Sequence, residues 1–189
     1  VDVEPYSDFA AIQEGMLRCR DLAVGWSGEV YRSATPRYAR SRDIVSGMGS
    51  CRMGGRWNPP GSFPTVYASL EPEAAMSESL ATFRYFGWAL HDAMPRVFRV
   101  LEARLHRVLD LCRPGNVPHL ASWLKAAQRE DWRALQRDGR ETISQAIGRA
   151  AFAVKVEGIL VPSSASPGNT NLVAFPGRFA PGSSLRVIR

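Results

Sequence analysis

Runs with β-forming character gather towards the two ends of this chain and helix-forming runs fill the stretch between, an order that constrains the fold more than any other feature. Residues 28–33 and 65–69 read as short strands. Two further runs, 96–101 and 107–111, lie before a mainly helical stretch at 116–153 in two or three pieces, broken near Asp138-Gly139. Residues 158–161, 171–175 and 184–188 return to strand. Two earlier segments follow the helical period: 7–23, with Phe9, Ile12, Met16 and Leu17 on one side, and 71–86. Pro72 sits in the first turn of the second, where a missing N–H costs little. Strand and helix do not alternate as in a doubly wound parallel sheet. The expected fold is therefore α+β, a single domain with a mixed, mainly antiparallel sheet and helices.

A length of 189 residues suits one domain. Hydrophobic residues at 45% and charged residues at 22% argue against disorder, and no run reaches the roughly 18 apolar residues of a membrane span. The opening VDVEPYSDF lacks the basic-then-apolar pattern of a secretory signal. Cys19, Cys51 and Cys112 are far apart, and His91, His106 and His119 are equally scattered, so reduced cytoplasmic thiols are expected and no metal site. Formal charge is +6, and because Lys occurs only at 125 and 155, 22 of the 24 basic residues are Arg. These form no block and no tail, so neither a membrane surface nor direct nucleic-acid binding is signalled.

The densest Gly/Pro stretch, 47–64, reads as a long ordered loop carrying Trp57 and Phe63. Within it Gly54-Gly55-Arg56-Trp57-Asn58 offers paired glycines for backbone approach to an anion, a guanidinium for phosphate, and an indole that either stacks on a ligand or plugs the core. Arg32 ends a strand beside a turn, placed for a ligand or for solvent. Tyr67 projects from its strand opposite Val66 and Ala68, to stack on a planar ring or to fill core. Glu78 has only Ala74, Ala75, Ala81 and Thr82 three and four positions away, while Met76, Leu80 and Phe83 form a separate stripe. Its carboxylate therefore leaves a helix face cleared of bulk. Ser163 and Ser164 close one strand and Asn171 opens the next. No GxSxG, GxGxxG or GxxxxGK[ST] is present, which argues against a serine hydrolase, a Rossmann cradle and a P-loop.

In order and spacing these pieces resemble the RES domain family, named for its Arg, Glu and Ser: Val30-Tyr31-Arg32, Gly54-Gly55-Arg56-Trp57-Asn58, Val66-Tyr67-Ala68-Ser69, the helix with Glu78, the 158–163 stretch, and Asn171-Leu172-Val173. The match covers 26–189 and leaves 1–25 as an N-terminal helical extension. The resemblance implies a fold akin to ADP-ribosyltransferase toxins and the role of toxin in a bacterial toxin–antitoxin pair. It also implies NAD as substrate, no further cofactor, and an Xre-type DNA-binding antitoxin as partner. Either the nicotinamide–ribose bond is cleaved with water or phosphate, or ADP-ribose passes to a protein acceptor. By motif Arg32, Glu78 and Ser163 (or its neighbour Ser164) are the catalytic set. Arg56, Tyr67, Trp57 and Asn171 are the expected substrate-binding residues.

Overall fold

Residues 97–110 make one uninterrupted strand, β3 (Val97–Asp110), where the sequence suggests two. The polar residues that break the apolar run, Glu102, Arg104 and His106, alternate with buried Leu101, Ala103 and Leu105. A period of two therefore runs straight through them, and their polarity marks the outward face of a strand rather than a turn. β3 pairs antiparallel with β1 (Val24–Ala34) along nearly its whole length. The structure, a computed structural model, describes residues 3–189. Among them no helix is long and apolar enough to cross a membrane.

β2 (Val66–Ser69), β4 (Gly158–Pro162), β5 (Thr170–Ala174) and β6 (Ser184–Val187) complete the sheet. Its order is β1-β2-β5-β4-β3-β6, and the β1–β3 ladder closes the first five strands into a ring. β3 and β4 run parallel and the other ladders antiparallel, so the sheet is mixed and barrel-like. Sequence patterning carries no signal for that closure. The β1–β2 junction is its weakest seam, with the single pair Tyr31↔Ser69.

Two cores follow from strand alternation. Val30, Val66, Ala68, Leu101, Leu172 and Ala174 belong to one, to which all the ring strands contribute. Ile159, Val161, Val173 and Phe175 face the other, under helices α1 (Phe9–Cys19), α5 (Ala121–Ala127) and α7 (Ile143–Ala153). The N-terminal helix is thus part of the main body: Ile12, Met16 and Cys19 are fully buried in that second core. The Arg149–Glu141 pair holds it further, since Glu141 also accepts from Tyr6 N at 2.8 Å and Arg149 lies over the Phe9 ring. Residues 1 and 2 of the expected extension lie outside the described residues.

The segment 47–64 is not wholly irregular. Gly47, at φ 67°, starts a six-residue helix, α3 (Met48–Met53), that Gly49 within it and the glycines at either end hide from propensity. α2 (Ser41–Ile44) precedes it. The 71–86 helix is α4 (Pro72–Phe86), and α6 (Trp132–Arg137) adds a further break at 128–131 in the helical stretch. α7 begins with a capping box: the Thr142 hydroxyl accepts from Gln145 N, and the Gln145 side chain accepts from Thr142 N.

At Gly148 a Cβ would stand 1.8 Å from the carbonyl oxygen of Trp57, a contact no side-chain rearrangement relieves. Gly148→Ala is expected to cost about 1–3 kcal/mol or more by overpacking. Urea unfolding measures it, and an unchanged midpoint would mean that α7 and the 54–58 segment are not in contact.

Candidate active site

Where β1 and β2 part beyond their single pair, a cavity of about 470 Å³ opens between the two strands, α3 and α4. Tyr31, Arg32 and Ser33 line it from β1, and Tyr67, Ala68 and Ser69 from β2. Gly54, Gly55 and Arg56 close one side, and Glu78 enters from α4 with Asn171 behind it. Arg32, Arg56, Tyr67, Glu78 and Asn171, separated by up to 139 positions, therefore share one space.

Glu78 is the most constrained of them. Its Oε1 accepts from the Ser163 hydroxyl at 2.7 Å and from Asn171 Nδ2 at 2.8 Å. Asn171 is in turn fixed by the Ser69 hydroxyl, which donates to its Oδ1 at 2.7 Å. Ser163 is buried and also accepts from Ser166 N, while Ser164 is exposed and makes no such contact with Glu78. Ser163 and Asn171, expected in the catalytic and substrate-binding sets, both hydrogen-bond the carboxylate, and Asn171 also lines the cavity. The helix face around Glu78 also differs from the expected pattern. Ala74 and Ala75 are buried with Leu80, whereas Met76 and Phe83 are only half-buried, because small residues let α4 sit close on β1 and β2.

The two guanidiniums keep most of their donors free. Arg32 Nη1 donates to Ile44 O at 2.7 Å, and Arg56 Nη2 to Ala127 O at 3.1 Å. Burial lowers the pKa of Arg32 to about 10, and Arg56 is lowered too, against the pull of Glu130 and Glu78. Both groups remain cationic at neutral pH. On the same strand as Arg32 the Ser33 hydroxyl is buried and, among the described residues, finds no hydrogen-bond partner.

The glycine pair has another job than the one its sequence suggests. Gly54 N donates to Ser50 O and Gly55 N to Asn58 O, so neither N–H is free for an anion. A Cβ on Gly55 would stand 2.5 Å from the Tyr67 hydroxyl, so the glycine makes room for that ring. The Tyr67 hydroxyl donates to Asn58 Oδ1 at 2.7 Å and accepts from Trp57 N at 2.9 Å. Trp57 itself is 6% exposed, packed in the core with Phe63, and does not line the cavity. Its backbone passes close against Gly148 on α7. The tryptophan that lines the cavity, with Tyr31 and Tyr67, is instead Trp132, at the start of α6, which sequence reasoning passed over. Its local signal is faint: an N-cap Asp131 followed by a Trp beside an Arg.

Gln145 ties these parts together, donating from Nε2 to Gly55 O at 3.0 Å and to Gln136 Oε1 at 2.7 Å. Among the described residues no three His, Cys, Asp or Glu side chains are grouped to hold a metal ion.

Burial drives the Tyr67 phenol well above its ordinary pKa of 10, so the fold favours the neutral form. A raised folded-state value means that this contribution is complete below about pH 10 and is lost as pH climbs above it. Tyr67→Phe is expected to cost about 1–3 kcal/mol at neutral pH, since Asn58 Oδ1 and Trp57 N lose their partner. It should also flatten the alkaline loss of stability. Chemical unfolding of both proteins between pH 8 and 11 measures this, and parallel curves would contradict the burial of the phenol.

The sequence model of the RES domain matches residues 29–188. NAD(+) phosphorylase MbcT from Mycobacterium tuberculosis and the same protein from Mycobacterium bovis are 31% identical over 183 residues, which cover 91% of this chain and 87% of theirs. Among solved structures, the M. tuberculosis MbcT–MbcA toxin–antitoxin complex holds a chain that superposes with a TM-score of 0.70. That match has 27% identity and covers 94% of this chain and 91% of that one.

Proposed function

The chain belongs to the RES domain family, and from that premise we propose that it is the toxin of a toxin–antitoxin pair and consumes NAD by breaking the nicotinamide–ribose bond. The observation that carries this is the convergence of Arg32, Arg56 and Glu78 on one cavity. The relatives named for NAD phosphorolysis, and the solved toxin–antitoxin complex, support it.

The geometry suits that reaction. Nicotinamide in NAD is bound to ribose as a cation and departs neutral, so its loss requires no general acid, and no histidine lines the cavity. The ribose carbon passes through an oxocarbenium-like state, as in glycoside hydrolysis. Glu78 stabilises that positive charge electrostatically through a carboxylate already oriented before substrate arrives. Arg32 and Arg56 hold the pyrophosphate with their unoccupied N–H groups. Tyr67 and Trp132 offer flat faces for the nicotinamide and adenine rings. Ser163 and Asn171 act through Glu78.

The finer features of the resemblance belong to the same proposal: a cytoplasmic setting, kinship with ADP-ribosyltransferase toxins, and an Xre-type antitoxin that silences the enzyme by covering the cleft. An enzyme that depletes NAD in its own cell requires such a partner.

Glu78→Gln keeps the side-chain shape and removes the charge. The variant is expected to fold normally and to lose about 10²–10³-fold in nicotinamide release, the usual effect of removing one preorganised electrostatic group. Chromatography of NAD incubations with phosphate, without it, and with lysate reads both rate and product. Free ADP-ribose, its 1-phosphate or labelled protein identify water, phosphate or a protein as acceptor. Full turnover by a folded Glu78→Gln protein would remove the carboxylate from the mechanism.

A further inference from the structure

Next to the main cavity lies a second of about 470 Å³, which shares Arg56 and Trp132 with it. Arg84, Tyr85, Glu130 and Arg133 are among its other walls, with Ser164 and Ala165 at the end towards Glu78. Three guanidiniums and two carboxylates, Glu130 and Asp131, thus meet in one hollow, yet among the described residues Arg56, Arg84 and Arg133 join no ion pair. The carboxylates are engaged elsewhere. Glu130 accepts from Ile143 N, Ser144 N and the Ser144 hydroxyl, which caps α7. Asp131 accepts from Ala134 N at 3.1 Å and from the Tyr85 hydroxyl at 2.6 Å.

Arg133 is held by its face. Its guanidinium carbon lies 4.5 Å from the Trp132 ring centroid and 5.3 Å from that of Tyr85, and Tyr85 is itself fixed by Asp131. Stacking on aromatic faces orients a guanidinium while leaving its N–H edge free, and that edge matches the oxygens of a phosphate. Burial lowers the pKa of Arg133, the nearby Glu78 works against this, and Arg56 is close enough to lower it further. Two cations that repel each other, each with unoccupied donors, flank a space beside the catalytic carboxylate.

We propose that this side cavity is an oxyanion site in which Arg133 and Arg56 hold inorganic phosphate as the acceptor for the ribose carbon. The assignment rests on the NAD-cleaving function above and deepens it. An oxygen of hydrogen phosphate forms the new bond to C1 of the ribose. The C–N bond to nicotinamide breaks, and its electron pair returns to the ring nitrogen, which leaves uncharged. The product is ADP-ribose 1-phosphate, whose remaining phosphate proton is exchanged with water. Arg133 is then a specificity residue that favours phosphate over water, while Arg56, at the junction of the two cavities, faces both this phosphate and the dinucleotide's pyrophosphate, which Arg32 holds from the main cavity.

The test uses the purified full chain and measures nicotinamide release with inorganic phosphate varied at fixed NAD, then with NAD varied at fixed phosphate. Arg133→Met is expected to raise the phosphate KM by about tenfold or more, the usual loss for a charge-assisted hydrogen bond. It should leave the NAD KM unchanged and shift product from ADP-ribose 1-phosphate towards ADP-ribose. Arg133→Lys, which keeps charge but not the planar fork, should fall between the two, and it carries the test if the Met variant does not fold. A raised NAD KM with an unchanged phosphate KM would assign Arg133 to the dinucleotide's pyrophosphate and overturn the proposal, as would no change in either. If the unaltered protein releases nicotinamide at a rate indifferent to phosphate, the acceptor site falls and NAD cleavage stands. If it releases none, the proposed function falls and the acceptor site with it.

Discussion

Glu78 reaches from its helix to Ser163 and Asn171, which lie 85 and 93 positions further along the chain. The partners are neutral, and that choice matters more than the distance spanned. Had Arg32 or Arg56 formed an ion pair with the carboxylate, its field on a developing cation would be largely cancelled. A hydroxyl and an amide fix its direction and leave the negative charge intact. At about 4 Å and an effective dielectric of ~20, one such charge is worth about 4 kcal/mol to a cation, on the order of 10³ in rate. The arginines meanwhile anchor on backbone carbonyls, Ile44 O and Ala127 O, which hold them in place without neutralising them. Opposite charges therefore stand around one cavity unpaired. An elongated substrate with an anionic middle and a cationic end complements that arrangement.

The fold supplies this by leaving one seam of a closed ring nearly unlaced. β1 and β3 zip together over ten register pairs, β4 and β5 over five, yet β1 meets β2 only at Tyr31↔Ser69. Residues on either side of that junction, Arg32 and Ser33 on one strand and Tyr67 on the other, line the gap while pairing on their other edge with β3 and β5. The 47–58 segment fills its other side and is pinned from behind by Gln145 on α7 and by Gln136 on α6. Site and core are thus coupled, since the helix that buries Ile147 and Ala150 also holds the loop that carries Arg56.

Much of this is legible in the sequence, and the exceptions share a cause. Periodicity places α4 and the strands around Tyr67, Val161 and Leu172, because each is a local pattern of apolar residues. Arg32, Arg56, Tyr67 and Glu78 stand out by residue type beside turns or small neighbours, and the structure brings them together. What fails depends on contacts distant in sequence. Trp57 and Trp132 each adjoin an arginine and look alike locally. The fold buries the first in the core, its backbone close against Gly148, and leaves the second at the cleft. Gly54 and Gly55 resemble an anion-binding pair, but their N–H groups are engaged at Ser50 O and Asn58 O, and the absent side chains make room for Gln136, Pro60 and Tyr67. Ser163 stands behind the carboxylate and off the cavity wall, a placement set by two strands distant in sequence from α4. Ring closure leaves no trace in local pattern at all.

The central claim is a placement of charges around a bound dinucleotide, and crystals of the Glu78→Gln protein soaked with NAD test it most directly. Density should show the pyrophosphate between Arg32 and Arg56, with the nicotinamide ribose carbon facing residue 78. Density for NAD in the hollow on the β1–β3 face around Trp26 and Glu102, or with its ribose turned away from residue 78, would contradict the account.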